Sequence, residues 1–352
     1  MKPAIPCFRP VRETDLPALT DLVGRIADGL TTLPNDPKFL ENKVHHCLRS
    51  LYPKINKPGD EYYLFVLEAS PGGPIVGTSG LLARVGGFEP FYTYEIQTER
   101  QVYEPLGIDN SVDVLHLKRS HKGPSELCSL FLHPDYRRTG WGRTLSLARL
   151  LFVGAFPERF DREMIAELRG YINPEGKSPF WEAVGEPFFR KDYYTADILT
   201  GLGEKAFIEA LMPRHPIYVS LLPPAARSVI GHVHRDTEAA RQLLLREGFE
   251  GTREVDIFDA GPLIKGEVKR LRTVREAVRT VVEIGPRRPS GERPNAILAR
   301  PSLDFRAIPA HIPLAGAPTG PAPAPLRISP EEAEALEVEP DDPIDYVFTR
   351  PS

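Results

Sequence analysis

The stretch LCSLFLHPDYRRTGWGRTLSLARLLF, residues 127–152, carries the residue types that most clearly suggest chemistry. An apolar run stops at Pro134. Arg137, Arg138, Gly140 and Gly142 follow, and then an amphipathic segment. A strand that feeds a helix through such a turn leaves backbone N–H groups bare, and bare amides at a helix start bind anions. Glycines lack a Cβ, so an anion can approach the backbone closely. The helix dipole and the arginines, Arg143 included, add positive potential. A pyrophosphate fits this description; a plain basic surface turn is the simpler alternative. The order differs from the dinucleotide fingerprint G-x-G-x-x-G, and the Lys-Ser/Thr of a Walker loop is missing.

Two further groups have chemical potential. His232 and His234 sit in VIGHVH, just ahead of a helix that Asp236 or Thr237 would cap. Imidazole titrates near neutral pH and can hold or move a proton, although either ring could merely decorate a helix start. Cys128 could be a nucleophile, but it lies within an apolar strand, where a thiol is usually inert core. Cys7, Cys47 and Cys128 show no disulfide or zinc spacing.

These residues need elements to hold them. FRPV (8–11) reads as a first strand, with a helix from about Asp15 to Ala27 capped by Thr14, and a second helix spans Pro37 to Leu51. EYYLFVLEAS and PIVGTSGLLARV form a hairpin. FYTYEIQTE, VDVLHLK, SELCSLFL and EMIAELRGYI are strands. SPFWEAVGE is a short helix, and PFFRKDYY a strand or loop. TEAARQLLLREGF is a helix ending at Gly248, and EVDIFDAGP a strand. Either 178–189 or 237–249 could complete the first sheet, and together they could mark a degenerate second half. Ten of the 37 prolines lie between Pro286 and Pro325, which suits a linker or an irregular β segment. Ser329 caps a brief helix with Pro330 at its first position, and PIDYVFTR is a closing strand. The expected division is 1–285, 286–325 and 326–352.

Composition narrows the class. The chain has 352 residues, 44 Lys plus Arg and 48 Asp plus Glu, for a formal charge of −4. That balance argues against a general nucleic-acid binder. The start, MKPAIPCFRPVRETD, has no apolar h-region. The segment LSLARLLFVGAF is short and holds Arg149, so it reads as core and not as a membrane span. A cytoplasmic protein without a metal is expected.

The order strand, L-x-P-x-x-R-x-x-G-x-G, helix resembles the acyl-CoA-binding motif of the GNAT N-acyltransferases. The resemblance implies an α+β fold: a mixed central sheet flanked by helices, here with a small C-terminal β-rich extension. It also implies that the turn amides hold the coenzyme A pyrophosphate, and that the preceding strand is splayed from its neighbour and pairs with the pantetheine arm. The chain resembles the arginine N-succinyltransferases more closely, through GLTTLP, SELCSLFL with its turn, ELRG with SPFW, EKAFIEALMPRHPIY, VIGHVH, and REGF with DIFDAGP. That family transfers succinyl from succinyl-CoA to the α-amino group of arginine. The resemblance places the proton donor on His234 and a succinyl-CoA contact on Leu130. It suggests a homodimer or a mixed-subunit assembly.

Such substrates set charge requirements. A guanidinium wants carboxylates; Glu126, Glu167, Asp256 and Asp259 are candidates, with solvated or locally paired acids as the alternative. The succinyl carboxylate wants a cation, for which Arg169 in ELRG is a candidate. Phe180 and Trp181 read as core. Two other readings stay open: a non-catalytic coenzyme A-binding partner subunit, and an ornithine-preferring succinyltransferase.

Overall fold

The computed structural model describes residues 5–25, 32–52, 54–87, 89–201, 206–286, 294–313 and 324–350. Its strands are β1 (Cys7–Pro10), β2 (Tyr62–Glu68), β3 (Ile75–Leu82), β4 (Phe91–Tyr103), β5 (Ile108–Ser120), β6 (Ser125–Leu132), β7 (Glu163–Glu167) and β8 (Ile217–Tyr218). They continue with β9 (Glu250–Val255), β10 (Pro262–Glu267), β11 (Val278–Ile284), β12 (Ala296–Arg300), β13 (Arg306–Ala310), β14 (Leu326–Ile328) and β15 (Pro343–Phe348). The strands form one series, β14-β11-β15-β12-β13-β1-β2-β3-β6-β7-β10-β9-β4-β5-β8. Neighbours are antiparallel except β6 with β7 and β11 with β14. Helices flank this sheet, so the chain is α+β with a mixed sheet.

The core follows the apolar runs. Helix Pro37–Leu51, capped by the Asp36 side chain on the Phe39 amide, buries Leu40, Val44 and Cys47. Helix Trp141–Ala155 buries an unbroken run from Thr144 to Val153. Phe152 meets Phe65 edge-on at 5.1 Å and Phe305 at 5.4 Å. A second cluster packs Phe180 and Trp181, both fully buried, against the base of the β4–β5 hairpin. A third lies beneath helix Pro330–Leu336. That helix has the expected Ser329 cap, closed into a capping box with Glu332.

Several expectations need correction. The first helix is not capped by Thr14. A short 3₁₀ turn, Glu13–Asp15, precedes helix Leu16–Gly24, and Asp15 accepts the Arg12 amide. Residues 26 and 27 lie outside the described residues, as do 29–31 of GLTTLP. PFFRKDYY holds no strand: Pro187–Phe189 close a short helix, Arg190–Asp192 are loop, and Tyr193 and Tyr194 begin the next helix. Pro187 has no N–H for a ladder, and Asp192 caps the next helix, Tyr193–Gly201, through the Thr195 amide. EVDIFDAGP is strand only to Val255. Beyond it Asp256 accepts the amides of Phe258 and Asp259, which turns the chain. EMIAELRGYI likewise stops pairing as β7 at Glu167; the Gly170 amide donates to Asp259.

Residues 237–249, not 178–189, continue the sheet: helix Glu238–Glu247 ends at Gly248, which has φ +102°, and leads through Phe249 into β9. For 286–325, where 287–293 and 314–323 are outside the described residues, the runs NAILAR and DFRAIP supply β12 and β13. These strands are buried within the sheet, and Phe8 of β1 pairs with Ala307.

β1 is anchored by a buried charge network. Arg9 donates to Glu68 at 2.9 Å and to both carboxylate oxygens of Asp15, at 2.7 and 2.9 Å. All three residues are buried. Arg9→Met should strand two buried carboxylates and cost about 3–5 kcal/mol of unfolding free energy, read by denaturant titration. A loss below about 1 kcal/mol, the range of an exposed pair, would show that the network carries little of the fold.

Candidate active site

The sheet opens where β6 meets β7. The two strands pair only at Ser125–Met164 and Glu126–Ile165 and then diverge. On its other side β6 continues along β3 to Leu132, with one extra residue between Cys128 and Phe131. Ser129 stands at that bulge in the left-handed region, φ +52°. Its hydroxyl is held by Tyr62 and Thr32, each at 3.0 Å, and its carbonyl accepts from Thr78 at 2.9 Å. A non-glycine residue at positive φ persists only where surroundings over-determine it, and these three bonds do so. The bulge takes Ser129 and Leu130 out of the ladder with β3, beside the gap left by β7.

That gap is part of a cavity of about 1570 Å³. It is lined by Glu126, Leu130, Arg137, Arg138, Gly140, Gly142, Glu167, Arg169 and His234 together. The residues singled out in sequence, spread over more than a hundred positions, therefore face one space. His232 does not line it. That residue is exposed, with Nδ1 against the Ser228 carbonyl.

At one end lies the arginine-glycine turn. Arg138 has φ +67° and Gly140 φ +96°, a curled backbone that points successive amides the same way. Arg143 and Thr144 donate to the Gly140 carbonyl. The amides of Arg138, Thr139, Gly140 and Gly142 have no acceptor among the described residues. A Cβ at Gly142 would meet only Leu132 Cδ2, at 3.6 Å, and one at Gly140 nothing within 4 Å. Packing does not demand the glycine at 142; the space above it is cavity. Arg137 crosses from the turn to Asp236 at 3.6 Å, tying this end to the histidine segment. Beside the helix start, Arg143, Arg246 and Arg350 gather. Burial and then the charges of Arg350 and Arg246 lower the pKa of Arg143. Sequence reasoning missed Arg246 and Arg350, because only the fold brings positions 143, 246 and 350 together.

His234 stands on the far wall. Val233 bridges to Gly170, and the His234 amide donates to the Arg169 carbonyl at 2.8 Å, so this segment lies antiparallel beside the backbone that continues β7. His234 Nδ1 accepts the Asp236 backbone N–H at 3.2 Å. A ring nitrogen that accepts from an amide has no proton, so the neutral ring carries its proton on Nε2. Thr237 is the N-cap of the following helix but makes no side-chain cap bond; Asp236 serves His234 instead.

Deeper along this wall the lining turns acidic, with Tyr193, Asp197, Asp256 and Asp259. Asp259 accepts the Gly170 and Gly261 amides, both at 2.7 Å, and the Tyr193 hydroxyl at 3.4 Å. Burial and then the charge of Asp259 push Asp256 well above the usual carboxylate range. Burial also raises Asp259, against the Gly170 and Gly261 amides and the Arg169 guanidinium, which lower it. Asp197 and Tyr193 had no signature in sequence; they arrive on helix Tyr193–Gly201, of which only the first two residues lie in PFFRKDYY. Cys128 also lines the cavity, but burial and then the Glu126 carboxylate push its thiol up to about 12. At neutral pH it is a thiol and a poor nucleophile.

The family described as "Arginine N-succinyltransferase beta subunit" matches residues 6–273. An arginine N-succinyltransferase of Enterobacter sp. (strain 638) is 42% identical over 305 residues, 86% of this chain and 88% of that protein. One of Salmonella schwarzengrund is 39% identical over 302 residues, 85% of this chain and 87% of its own. Among solved structures, arginine/ornithine succinyltransferase subunit AI from Pseudomonas aeruginosa superposes with a TM-score of 0.88 at 34% identity, covering 99% of this chain and all of that one. On the family match and on this identity over most of its length, the chain belongs to the arginine N-succinyltransferase family.

Proposed function

We propose that the chain transfers the succinyl group of succinyl-CoA to the α-amino group of L-arginine, giving N2-succinyl-L-arginine and coenzyme A, on a GNAT-like acyl-CoA N-acyltransferase framework. The observation that carries this reading is the cavity itself: an anion-seeking turn, a splayed strand pair and a histidine with a defined tautomer open onto one space.

The roles follow from the chemistry of each end. The turn amides at Arg138–Gly142 take the pyrophosphate, with Arg137 and Arg138 adding charge. Arg143, Arg246 and Arg350 suit the 3′-phosphate. The pantetheine arm is an extended chain with two amides, and the free edge of β6 beyond Glu126 offers the backbone groups to pair with it. The thioester then lies at Leu130, where the bulge frees main-chain groups from the ladder. Arginine enters from the acidic side. Asp256, Asp259 and Asp197, with Glu126 and Glu167 at the gap, favour a guanidinium, which supports arginine over the shorter ornithine.

The neutral α-amine attacks the thioester carbonyl, forming the C–N bond and a tetrahedral intermediate. Collapse breaks the C–S bond. His234 gives its Nε2 proton to the departing sulfur and takes the proton shed by the new ammonium nitrogen onto the same nitrogen. The ring ends unchanged, and no covalent acyl-enzyme is needed, in keeping with the inert Cys128.

Three results test this reading. His234→Ala should lower kcat by about 10²- to 10⁴-fold, or about 3–5 kcal/mol of barrier, with little change in succinyl-CoA affinity by direct titration. His232→Ala should keep kcat within a few-fold. Near wild-type turnover in folded His234→Ala would remove the histidine from the chemistry. Gly142→Val places methyl groups in the cavity over the turn and should weaken succinyl-CoA binding about tenfold or more, with arginine affinity nearly intact; undiminished coenzyme affinity would displace the pyrophosphate from this turn. Finally, a raised carboxyl pKa means that charge is lost as pH falls through that raised value. The KM for arginine should therefore climb as pH falls, at a higher pH than ordinary carboxylates titrate, and Asp256→Asn should raise it about 10-fold or more where the wild-type KM is lowest. An arginine KM unaffected by Asp256→Asn would exclude that carboxylate from the guanidinium pocket.

A further inference from the structure

Arg149 is a buried cation that neither the fold nor the mechanism above explains. It lies in the third turn of helix Trp141–Ala155 and is 2% exposed. Its side chain turns toward the gap between β6 and β7 and lines the cavity. Nε donates to the carbonyl of Ser146 at 3.1 Å, Nη1 to the carbonyl of Cys128 at 3.3 Å, and Nη2 to the Ser146 hydroxyl at 3.5 Å. All three acceptors are neutral, and two of the bonds are long. No carboxylate pairs with it among the described residues, and burial lowers its pKa to about 10.

Burying a guanidinium without a counter-charge costs several kcal/mol, and proteins rarely tolerate it without a partner. The other arginines of this wall are engaged elsewhere. Arg137 pairs with Asp236, Arg25 with Asp21, and Arg169 stands against Asp259. Arg143, Arg246 and Arg350 sit at the helix start. Arg149 alone combines burial, the absence of a carboxylate among the described residues, and a place beside the acyl end of the gap.

We infer that Arg149 is the receptor for the distal carboxylate of the acyl group, and so selects a dicarboxylic acyl-CoA over a neutral one. The inference rests on the reading that the thioester lies at Leu130. Its reach agrees. Arg149 holds Cys128, two residues from Leu130; a regular strand would span about 6–7 Å there, and the left-handed Ser129 between them makes the span shorter. In succinyl-CoA three C–C bonds of about 1.5 Å separate the thioester carbonyl from the carboxylate carbon, and a charge-assisted hydrogen bond adds about 2.8 Å. A neutral acyl chain would leave the guanidinium without a counter-charge. Arg169, the candidate from sequence, is instead placed to set the charge of the acidic wall.

The test compares succinyl-CoA with butyryl-CoA, which has the same four carbons and no carboxylate, in thiol release at saturating arginine. Coenzyme A without an acyl group is titrated onto each protein in parallel. The wild type should prefer succinyl-CoA strongly in kcat/KM. Arg149→Met should shrink that preference by about 10- to 100-fold, the worth of one charged hydrogen-bonded pair, while coenzyme A itself still binds. Arg149→Lys, a smaller disturbance that keeps the charge but loses the fork, should fall between. Equal loss with both acyl donors in folded variants, leaving the preference unchanged, would make Arg149 a wedge between the strands and overturn the inference. Failure of coenzyme A to bind the wild type would instead sink the underlying reading of the cavity.

Discussion

Two parallel strands that stop pairing after two residues set the terms for the rest of the molecule. Backbone N–H and C=O groups left without partners are costly unless water or a ligand completes them. The edge of β6 beyond Glu126 is such a surface, and it lies inside the sheet. The bulge at Ser129, the turn at Arg137–Gly142 and the histidine segment at Val233–His234 each depend on that opening. If β7 ran alongside β6 to Leu132, the cavity would close and the turn would face nothing.

Charge is arranged along this opening in sequence. Cations and bare amides occupy the turn, the buried Arg149 guanidinium lies beside β6 at Cys128, and carboxylates line another part of the same cavity. Burial magnifies the field of Arg149 and Asp259, whereas the turn arginines Arg137 and Arg138 are exposed. The arrangement suits a long anionic acyl donor that enters from one side and a cationic amine that enters from the other. On the proposed mechanism the one reacting carbon and the one reacting nitrogen meet where the signs of charge change over. The C-terminal strands contribute as well: Arg350 follows β15 and reaches the mouth of the cavity, and Phe305 packs on the helix that begins at the turn.

Local features were legible in the sequence where a single residue type fixes the outcome. Asp36 with Pro37 starts a helix, Ser329 with Pro330 starts another, and Gly248 ends a third in the left-handed region. The β2–β3 hairpin and the turn at Gly140 followed from alternation and glycine spacing. Misreadings came where side chains compete with the ladder. Asp15 closes the turn before the first helix by accepting the Arg12 amide, where Thr14 was expected as the cap, Asp192 starts a helix at the end of PFFRKDYY, and Asp256 with Asp259 turns DIFDAGP. The Pro-rich tail hid β12 and β13, because their burial depends on β1 and β15, hundreds of positions away or beyond the prolines. The candidate site was partly legible for the same reason: the turn and VIGHVH are local, whereas Asp197, Arg246 and Arg350 join them only through the sheet order. Arg149 was visible only as a charge interrupting an apolar helix.

The central claim is that the opening between β6 and β7 holds the acyl donor against His234. A crystal structure with bound coenzyme A tests it most directly. The account predicts the pyrophosphate on the amides of Arg138–Gly142, the pantetheine along the free edge of β6, and the thiol sulfur within hydrogen-bonding reach of His234 Nε2. A coenzyme bound with its pantetheine outside that opening, or with its sulfur remote from His234, would contradict it.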